Sequence, residues 1–349
     1  MTGVFPYAVD NRFLCRHKEL CKNSIAALIS CGNVLENSDQ LKRSEVISFD
    51  KITNGIKAID RVFFVDCNTL TFDDYDKALK EFAKKGIEVI LATGIYDEAL
   101  KNNNSEYGLL VKRIHDLKLV PEISLEKAVT IEKKDIGVPI VGVVGTGYNV
   151  SKFDIQLYLR EHFLKNKYKV SQIGSKKISE LFGFHSMPDF MFNNCYSNQE
   201  KIFKFNEYVR VVSKIEKPDV IIIGVPEPVL PLNKKHPFNM GIIAFEILNA
   251  VDFDYLVLSL MHGEYTVEFM SEMERLFKYR FNTEIDDYYV SNFSIVSNSL
   301  YSRDLKYVYI DDTVVDTVNN IWHEKNLEYE DFFVHVEDQL KKYADYEQY

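Results

Sequence analysis

The chain has 349 residues, enough for two domains, and its 46% hydrophobic and 27% charged residues are typical of a globular protein. A net charge of −10 argues against nucleic acid as a partner, because phosphate backbones attract basic surfaces. The sequence has no apolar run near the ~20 residues of a membrane span. Its N-terminus is typical of a short strand rather than a signal sequence, so we expect a cytoplasmic protein.

Strands alternate with helices over the first third of the chain. Apolar segments bounded by turn or polar residues predict strands at 3–7, 25–30, 62–65 and 87–92. Thr71 is the expected N-cap of an amphipathic helix over 72–83, and a second helix is expected over 97–119. This alternation predicts a parallel sheet with right-handed crossovers. We assign residues 1–135 to a Rossmann-like N-terminal domain that ends in the charged connection 123–135.

The same alternation resumes after this connection. Strands are expected at 138–144, 170–173, 220–223, 255–260 and 307–310, and helices at 153–165, 206–215 and 313–323. The predicted fold class is therefore α/β, with two doubly wound parallel-sheet domains. We assign 136–323 to the second domain and 324–349 to an acidic C-terminal tail, helical or partly ordered.

The most informative segment joins the first strand and helix of the second domain. A buried strand runs into a glycine-bearing turn, then a lysine, then a helix, which is how a phosphate-binding loop is built. Backbone N–H groups of such a turn point at an anion, and the lysine adds positive charge. The candidate binding residues are Gly145, Thr146, Gly147, Tyr148, Asn149, Val150, Ser151, Lys152, Phe153 and Asp154.

This loop resembles that of dethiobiotin synthetase-like P-loop proteins, Gly-Thr-x-x-x-x-Gly-Lys-Thr, with two departures. Ser151 stands at the second glycine, and Phe153 stands where that family has a hydroxyl for magnesium. Three interpretations stay open: a turn without a ligand, binding of ATP or another nucleotide without efficient hydrolysis, and phosphoryl transfer. The nucleotide would bind with or without Mg²⁺. No catalytic residue and no protein metal site is assigned.

Other candidate residues follow the later strands, since ligands bind at the carboxyl ends of parallel strands. Glu227 lies in a proline-stiffened loop after the strand 220–223, which itself ends without the acid of a Walker B motif. Glu227 is a candidate magnesium or water ligand, or else a loop residue beside the site. Lys234-Lys235-His236 and His262-Gly263-Glu264 could face an anion or perform acid–base work, but ordinary loop positions explain both.

Five cysteines without a Cys-x-x-Cys pair favour reduced thiols, with a metal or redox role as the alternative.

Over nearly its full length the chain resembles the clostridial peptide maturation system proteins. The segments that carry this resemblance are Val4-Phe5-Pro6-Tyr7, Phe13-Leu14-x-Arg16, Lys152-Phe153-x-x-Gln156-Leu157-x-Leu159-Arg160, Ser179-Glu180-Leu181-Phe182-Gly183-Phe184 and Pro218-Asp219-Val220-Ile221-Ile222-Ile223-Gly224. The family's loop looks like Gly-Thr-Ser-Ser-x-x-Gly-Lys-Phe-Thr. That pattern makes Lys152-Phe153 a family trait and places a hydroxyl where this chain has Asp154.

The resemblance implies an accessory role in the maturation of a ribosomally made peptide, with a precursor peptide and a radical SAM maturase as partners. The two-domain plan is also similar to that of D-glutamate N-acetyltransferase-type proteins, which is an analogy of fold. The missing glycine and hydroxyl predict negligible ATPase activity. The alternatives are an active ATP-dependent enzyme, with Asp154 or Glu227 on magnesium, and a scaffold with a vestigial loop. Either arrangement is compatible with a homo-oligomer.

The acidic tail contains a stripe at helical spacing formed by Phe332, Val336, Leu340 and Tyr343. Two interpretations of this stripe are open. It packs against the second domain of the chain itself, or it forms a docking helix for the maturase or the precursor peptide.

Overall fold

The computed structural model describes residues 1–31, 46–50, 59–67, 70–94, 100, 110–125, 132–302, 305–310, 321–324 and 331–346. The chain divides into two compact units. The first consists of Met1–Pro121 and Lys176–Ser186, and the second of Glu122–Ser175 and Met187–Tyr349. Among the described helices, none has the length and apolar character needed to cross a lipid bilayer.

The first unit is built on a parallel sheet. Its strands are β1 (Thr2–Phe5), β2 (Ile25–Ser30), β3 (Val46–Ser48), β4 (Arg61–Val65), β5 (Glu88–Ala92) and β6 (Val111–Arg113). They pair in the order β3-β2-β1-β4-β5-β6, with every pair parallel. The chain therefore winds outward from β1 first in one direction and then in the other, which is the order of a doubly wound Rossmann-like sheet.

Within the described residues, the first unit also contains two helices whose full range is described and a returning segment. They are α1 (Phe13–Arg16) and α2 (Phe72–Lys84), and Thr71 caps α2 in a capping box with Asp74, as the sequence predicts. The segment Lys176–Ser186 contains a 3₁₀ helix and the short strand β9 (His185–Ser186).

The second unit is also built on parallel strands. These are β7 (Ile140–Gly145), β8 (Val170–Gly174), β10 (Val220–Gly224), β11 (Tyr255–Leu260), β12 (Asp287–Val290) and β15 (Ile321–His323). Within this unit they pair in the order β15-β12-β11-β7-β10-β8. A separate antiparallel pair consists of β13 (Phe293–Ile295) and β14 (Tyr307–Tyr309).

Helices cover both faces of this sheet. They are α3 (Lys152–Lys165), α4 (Asn198–Glu216), α5 (Ile242–Leu248), α6 (Val267–Leu276) and α7 (Asp331–Tyr346). Alternate residues of β10 enter different cores: Val220 and Ile222 pack on the side of α3 and α7, and Ile221 and Ile223 on the side of α4 and α5. The predicted class, α/β with two doubly wound parallel sheets, is confirmed.

The residue ranges of the two units differ from the predicted domain ranges 1–135, 136–323 and 324–349. Asn206 on α4 explains one difference, because its side chain accepts a bond from the Lys134 amide and donates one to the Lys134 carbonyl, both 2.9 Å long. The end of the charged connection thus belongs to the second unit. Lys176–Ser186 belongs to the first unit, where the Leu181 carbonyl accepts a 2.7 Å bond from the Lys22 amide.

The C-terminal stripe packs against its own unit. Phe332 and Val336 of α7 are fully buried, and with Phe333 and Leu340 they join the core formed by β7 and α3. A face that lies in the core is closed to a partner, so the docking-helix interpretation is wrong for these residues. The side chain of Tyr343 lies outside the described residues.

Two predicted helices differ from the structure. In the part of 97–119 that is described beyond residue 100, the chain forms β6 and then the 3₁₀ helix Ile114–Leu117. In 313–323, the described residues form β15, which pairs with β12 in the sheet. The remaining residues of both predicted helices lie outside the described part, apart from 100, 110, 118 and 119. Pairing with a neighbouring strand determines the conformation of the short segments β6 and β15, whose sequences have no periodic pattern.

Candidate functional site

The candidate loop connects β7 to α3 at the carboxyl edge of the sheet. Its first residues are held by the loops of the two neighbouring strands. The Thr146 amide donates to the Ser259 carbonyl at the end of β11 (3.0 Å), and the Gly145 carbonyl accepts from the Val229 amide after β10 (2.9 Å). These bonds hold the start of the loop between the two neighbouring strands, at the edge where parallel sheets bind ligands. The strand–loop–helix arrangement is that of a phosphate-binding loop.

Val150 packs beneath the loop, against Gly145. Its side chain is fully buried, and a Cβ built at Gly145 would lie 2.6 Å from its Cγ2 atom, so no other residue fits at 145 without a shift. The Ser259 hydroxyl donates to the Val150 carbonyl. Asn149 is also buried, whereas Tyr148 at the tip is 41% exposed. The loop is therefore packed underneath and open at its tip.

Ser151 stands in the left-handed conformation, at φ +57°, immediately before α3. Glycine adopts this conformation at little steric cost, whereas an L side chain there costs about 1–2 kcal/mol. The Ser151 hydroxyl donates to Oε2 of the buried Glu324 at 3.1 Å. Glu324 also accepts from the Asn292 amide (2.7 Å) and the Tyr309 hydroxyl (3.2 Å). The second glycine of the usual loop is thus replaced by a serine that is tied to the carboxylate following β15.

Lys152 is the first residue of α3 and is only 4% exposed. Its Nζ donates to the Gly147 carbonyl at 3.0 Å and to the Pro226 carbonyl at 3.3 Å. A lysine at this end of a helix lies beside the positive end of the helix dipole. The ammonium and the helix N-terminus together favour an anion at the loop.

The parts that handle magnesium in related loops are replaced. Phe153 is buried and has no oxygen to offer, and Asp154 is buried in the first turn of α3, where its charge complements the helix dipole. On the neighbouring strand, β10 ends at Gly224, one residue later than predicted. A Cβ at Gly224 would collide with the amide group of Gln156, a fully buried side chain of α3. The described strand end therefore has no acid, and a side chain there would require the Gln156 amide to move.

Glu227 is half-buried and close enough to Lys152 for the lysine's charge to affect its pKa. Burial raises the pKa of its carboxyl, while the Asn239 hydrogen bond and the Lys152 and Lys201 charges oppose that rise. The Asn239 side chain donates to Glu227 at 3.3 Å. Burial also raises the pKa of Tyr148 to about 12, and Tyr148 meets Phe238 edge to face at 5.1 Å between ring centroids.

Phe238 and Asn239 belong to a strained turn before α5. Residues 238–241 all have positive φ, from +47° to +68°, and three of the four are not glycine. Each such residue costs about 1–2 kcal/mol relative to right-handed backbone. Because the turn contacts both Tyr148 and Glu227, this strain is stored next to the loop.

Of the remaining candidates, His236 approaches the loop indirectly, because its ring lies 6.4 Å from that of Phe238, which contacts Tyr148. Lys234 and Lys235 are exposed and His236 is buried, and the Lys235 ammonium donates to the Tyr301 carbonyl at 2.7 Å. Glu264 is exposed, and no hydrogen bond to it from His262 occurs among the described residues. The five cysteines, all within the described residues, form no disulfide, and of these only Cys67 is buried.

Sequence reasoning missed three residues of this site: Gln156, Ser259 and Glu324. Gln156 and Ser259 are polar residues within otherwise apolar segments at the carboxyl edge, a pattern that could have drawn attention to them. Glu324 was assigned to the tail, and 173 positions separate it from Ser151. No local pattern reveals a contact of that span.

No family model matches the sequence, and no curated protein matches it. Among solved structures, a DUF1611 family protein from Anabaena variabilis is similar, with a TM-score of 0.54 and 12% sequence identity. The likeness covers 83% of this chain and 87% of that chain. At this identity it shows a shared fold alone.

Weaker likenesses involve two further structures. A GTPase in apo form from Pyrococcus abyssi has a TM-score of 0.28 and 14% identity, over 48% of this chain and 71% of that chain. Chloroplast FtsY from Physcomitrella patens has a TM-score of 0.30 and 13% identity, over 63% of this chain and 72% of that chain. TM-scores this low support no statement about the present chain.

Proposed function

We propose that the second unit binds a nucleotide or another phosphate-bearing anion at residues 145–154 without efficient hydrolysis. The observation that carries this proposal is the Lys152 ammonium, buried at the N-terminus of α3 and bonded to the Gly147 and Pro226 carbonyls. A buried cation at the positive end of a helix is costly by itself, and a phosphate group would offset that cost. Such loops bind phosphate through the same two features.

Ligand-induced stabilisation tests this proposal. Pyrophosphate or a nucleoside triphosphate at ~100 times its dissociation constant should stabilise the fold by about 2.7 kcal/mol and raise the melting temperature. Lys152→Ala should abolish the rise. Lys165→Ala, at the exposed far end of α3, removes the same charge and should leave the rise intact. If wild-type protein shows no shift with either ligand at millimolar concentration, the loop is vestigial and the scaffold alternative is favoured.

We also propose, from the sequence resemblance, that this binding serves the maturation of a ribosomally made peptide, together with a radical SAM maturase. The net charge of −10 supports a protein or peptide partner rather than nucleic acid. A direct check is to identify the genes that lie beside this one. We expect a radical SAM enzyme and a short cysteine-containing precursor there, and co-purification of the three products. A neighbourhood without either gene would remove the basis for this part of the proposal.

A further inference from the structure

A buried ion pair lies in the second unit and is not used by the loop as described so far. Lys201, in the first turns of α4, contacts Glu246 of α5, with 3.5 Å between Nζ and Oε1. The side chains are only 8% and 0% exposed. Burial raises the pKa of Glu246, an effect that the Lys201 charge opposes.

This ion pair makes few hydrogen bonds for two side chains that are so deeply buried. Neither carboxylate oxygen of Glu246 accepts a hydrogen bond within the described part of the chain, and the contact with Lys201 is long. A buried ion pair offsets the cost of its desolvation only when its geometry is good and its remaining hydrogen-bonding capacity is filled. The ammonium of Lys201 has three donors, and a polar ligand would use them.

The topology places this pair at the same edge of the sheet as the loop. The helix α4 leads into β10, and α5 connects β10 to β11. A crossover helix between parallel strands runs back along the sheet, so its N-terminus lies at the carboxyl edge. Lys201 is four residues from the N-cap Ser197 of α4 and therefore lies at that edge.

Glu227 connects the pair to the loop. Both Lys152 and Lys201 oppose the rise in its pKa, and Glu227 in turn raises the pKa of Glu246. The Lys152 ammonium contacts the carbonyl of Pro226, the residue before Glu227. Lys152, Lys201, Glu227 and Glu246 thus interact electrostatically near the carboxyl edge of the sheet.

We infer that Lys201 is a second anion-binding lysine of this site and that Glu246 binds the Lys201 ammonium while the site is empty. The inference rests on the proposed anion binding at 145–154 and extends it to a ligand with at least two anionic groups, such as a diphosphate. Lys152 binds one group, and Lys201 turns from Glu246 to the other. Glu246 is then a positioning residue that competes with the ligand for Lys201.

Calorimetric titration with pyrophosphate in metal-free buffer tests the inference. Lys201→Met should weaken binding about tenfold, the value of one charge-assisted hydrogen bond. Lys214→Met removes an exposed lysine from the same helix and should bind like the wild type. Glu246→Gln should bind more tightly, because the competing carboxylate is gone. Since Lys201→Met leaves Glu246 without its partner, Lys201→Met with Glu246→Gln provides a second variant, which should bind as weakly as Lys201→Met.

Each outcome decides between the two proposals. If wild type binds pyrophosphate, Lys152→Ala does not, and both Lys201 variants bind like wild type, the inference is overturned and the proposed function stands. Weaker binding by Glu246→Gln would also overturn it, because a purely structural pair loses affinity when either partner changes. If the wild type itself fails to bind pyrophosphate, both proposals fall.

Discussion

At the scale of single residues, Ser151 shows how the loop departs from the usual pattern of a phosphate-binding loop. Its left-handed backbone is the conformation that a glycine would supply, yet a serine occupies it and donates to Glu324. A hydrogen bond to a charged group contributes about 1.5–3 kcal/mol, which is enough to offset the backbone cost. A serine at this position therefore gives up the open backbone that a glycine would offer a ligand and gains a hydrogen bond to Glu324, the residue after β15.

Two substitutions of Ser151 separate the backbone cost from the hydrogen bond. Ser151→Ala and Ser151→Gly both lose the bond to Glu324, but only alanine keeps a Cβ at φ +57°. We expect the glycine variant to be more stable than the alanine variant by about 1 kcal/mol, after the greater unfolded-state entropy of glycine is counted. Urea denaturation measures the difference. Equal stability would mean that residue 151 carries no backbone strain.

The replaced residues also predict how the loop handles ATP. Because Phe153 offers no hydroxyl and β10 ends in Gly224, we expect negligible intrinsic ATPase activity with magnesium. Ser151→Gly combined with Asp154→Thr should strengthen nucleotide binding more than it raises turnover. Phosphate release and calorimetry measure the two quantities. Robust magnesium-dependent turnover by wild type that Lys152→Ala abolishes would instead support the active enzyme.

At the scale of elements, α7 is fixed to α3 through one carboxylate. Glu337 accepts bonds from the Tyr168 hydroxyl (2.9 Å), His162 Nε2 (2.7 Å) and the Asn166 amide (2.7 Å), and pairs with Lys341 at 2.7 Å. Burial by itself raises the pKa of Glu337, but these partners outweigh it and lower the pKa to about 2. Each favours the ionised carboxylate in the folded chain.

Acid should therefore loosen α7. Because the folded pKa of about 2 lies below the ordinary value of 4.5, the stabilisation is complete above pH 4.5 and is lost as the pH falls through about 2. Glu337→Gln should cost up to about 3 kcal/mol at pH 7 and much less near pH 2. The control Asp338→Asn changes an exposed carboxylate on the same helix. A loss for Glu337→Gln that does not depend on pH would contradict this account.

Local pattern explains which elements the sequence could predict. Strands such as β7, β10 and β11 are continuous apolar runs, and α2 has both a cap and a periodic face, so each was predicted within a few residues. In contrast, β12 is four residues long and begins with the buried Asp287. Its place between β11 and β15 depends on pairing partners far away in the chain.

In the candidate site, too, local pattern predicts some residues and long-range packing determines the others. Loop residues 145–154 and Glu227 were predictable because they follow strands at a known edge of the sheet. The partners that define their chemistry were not. Glu324 reaches Ser151 from beyond β15, and Gln156 fills the space at Gly224. Contacts of this kind depend on how helices and strands pack in three dimensions, which single-sequence patterns do not encode.

At the scale of the whole molecule, the chain leaves its first unit and later returns to it. Lys176–Ser186 belongs to that unit, where Phe182 is buried and its ring lies 6.1 Å from that of Phe13. The predicted domain 1–135 omits this returning segment. An N-terminal fragment therefore lacks part of its own core.

Fragments can test this interleaving. We expect 1–121 to melt at a lower temperature than the same residues with 176–186 appended through a flexible linker, because Phe13 loses its contact with Phe182. The isolated fragment should also bind a hydrophobic dye. The matched control appends a scrambled 176–186 through the same linker. Equal melting temperatures for 1–121 and the appended fragment would show that the first unit does not need this segment.

The packing of Gly224 against Gln156 also bears on how the chain could change over time. An acid placed at the end of β10 by one substitution would have to displace the Gln156 amide, because its Cβ would meet that group. Gln156 in turn donates to the Lys152 carbonyl (2.9 Å) and the Ser175 hydroxyl (3.0 Å), so a smaller residue there would first weaken the loop. Substitutions at Gly224 and Gln156 should therefore have non-additive effects on stability. The packing thus links the acid that a Walker B motif would supply after β10 to a change in the helix that follows the loop.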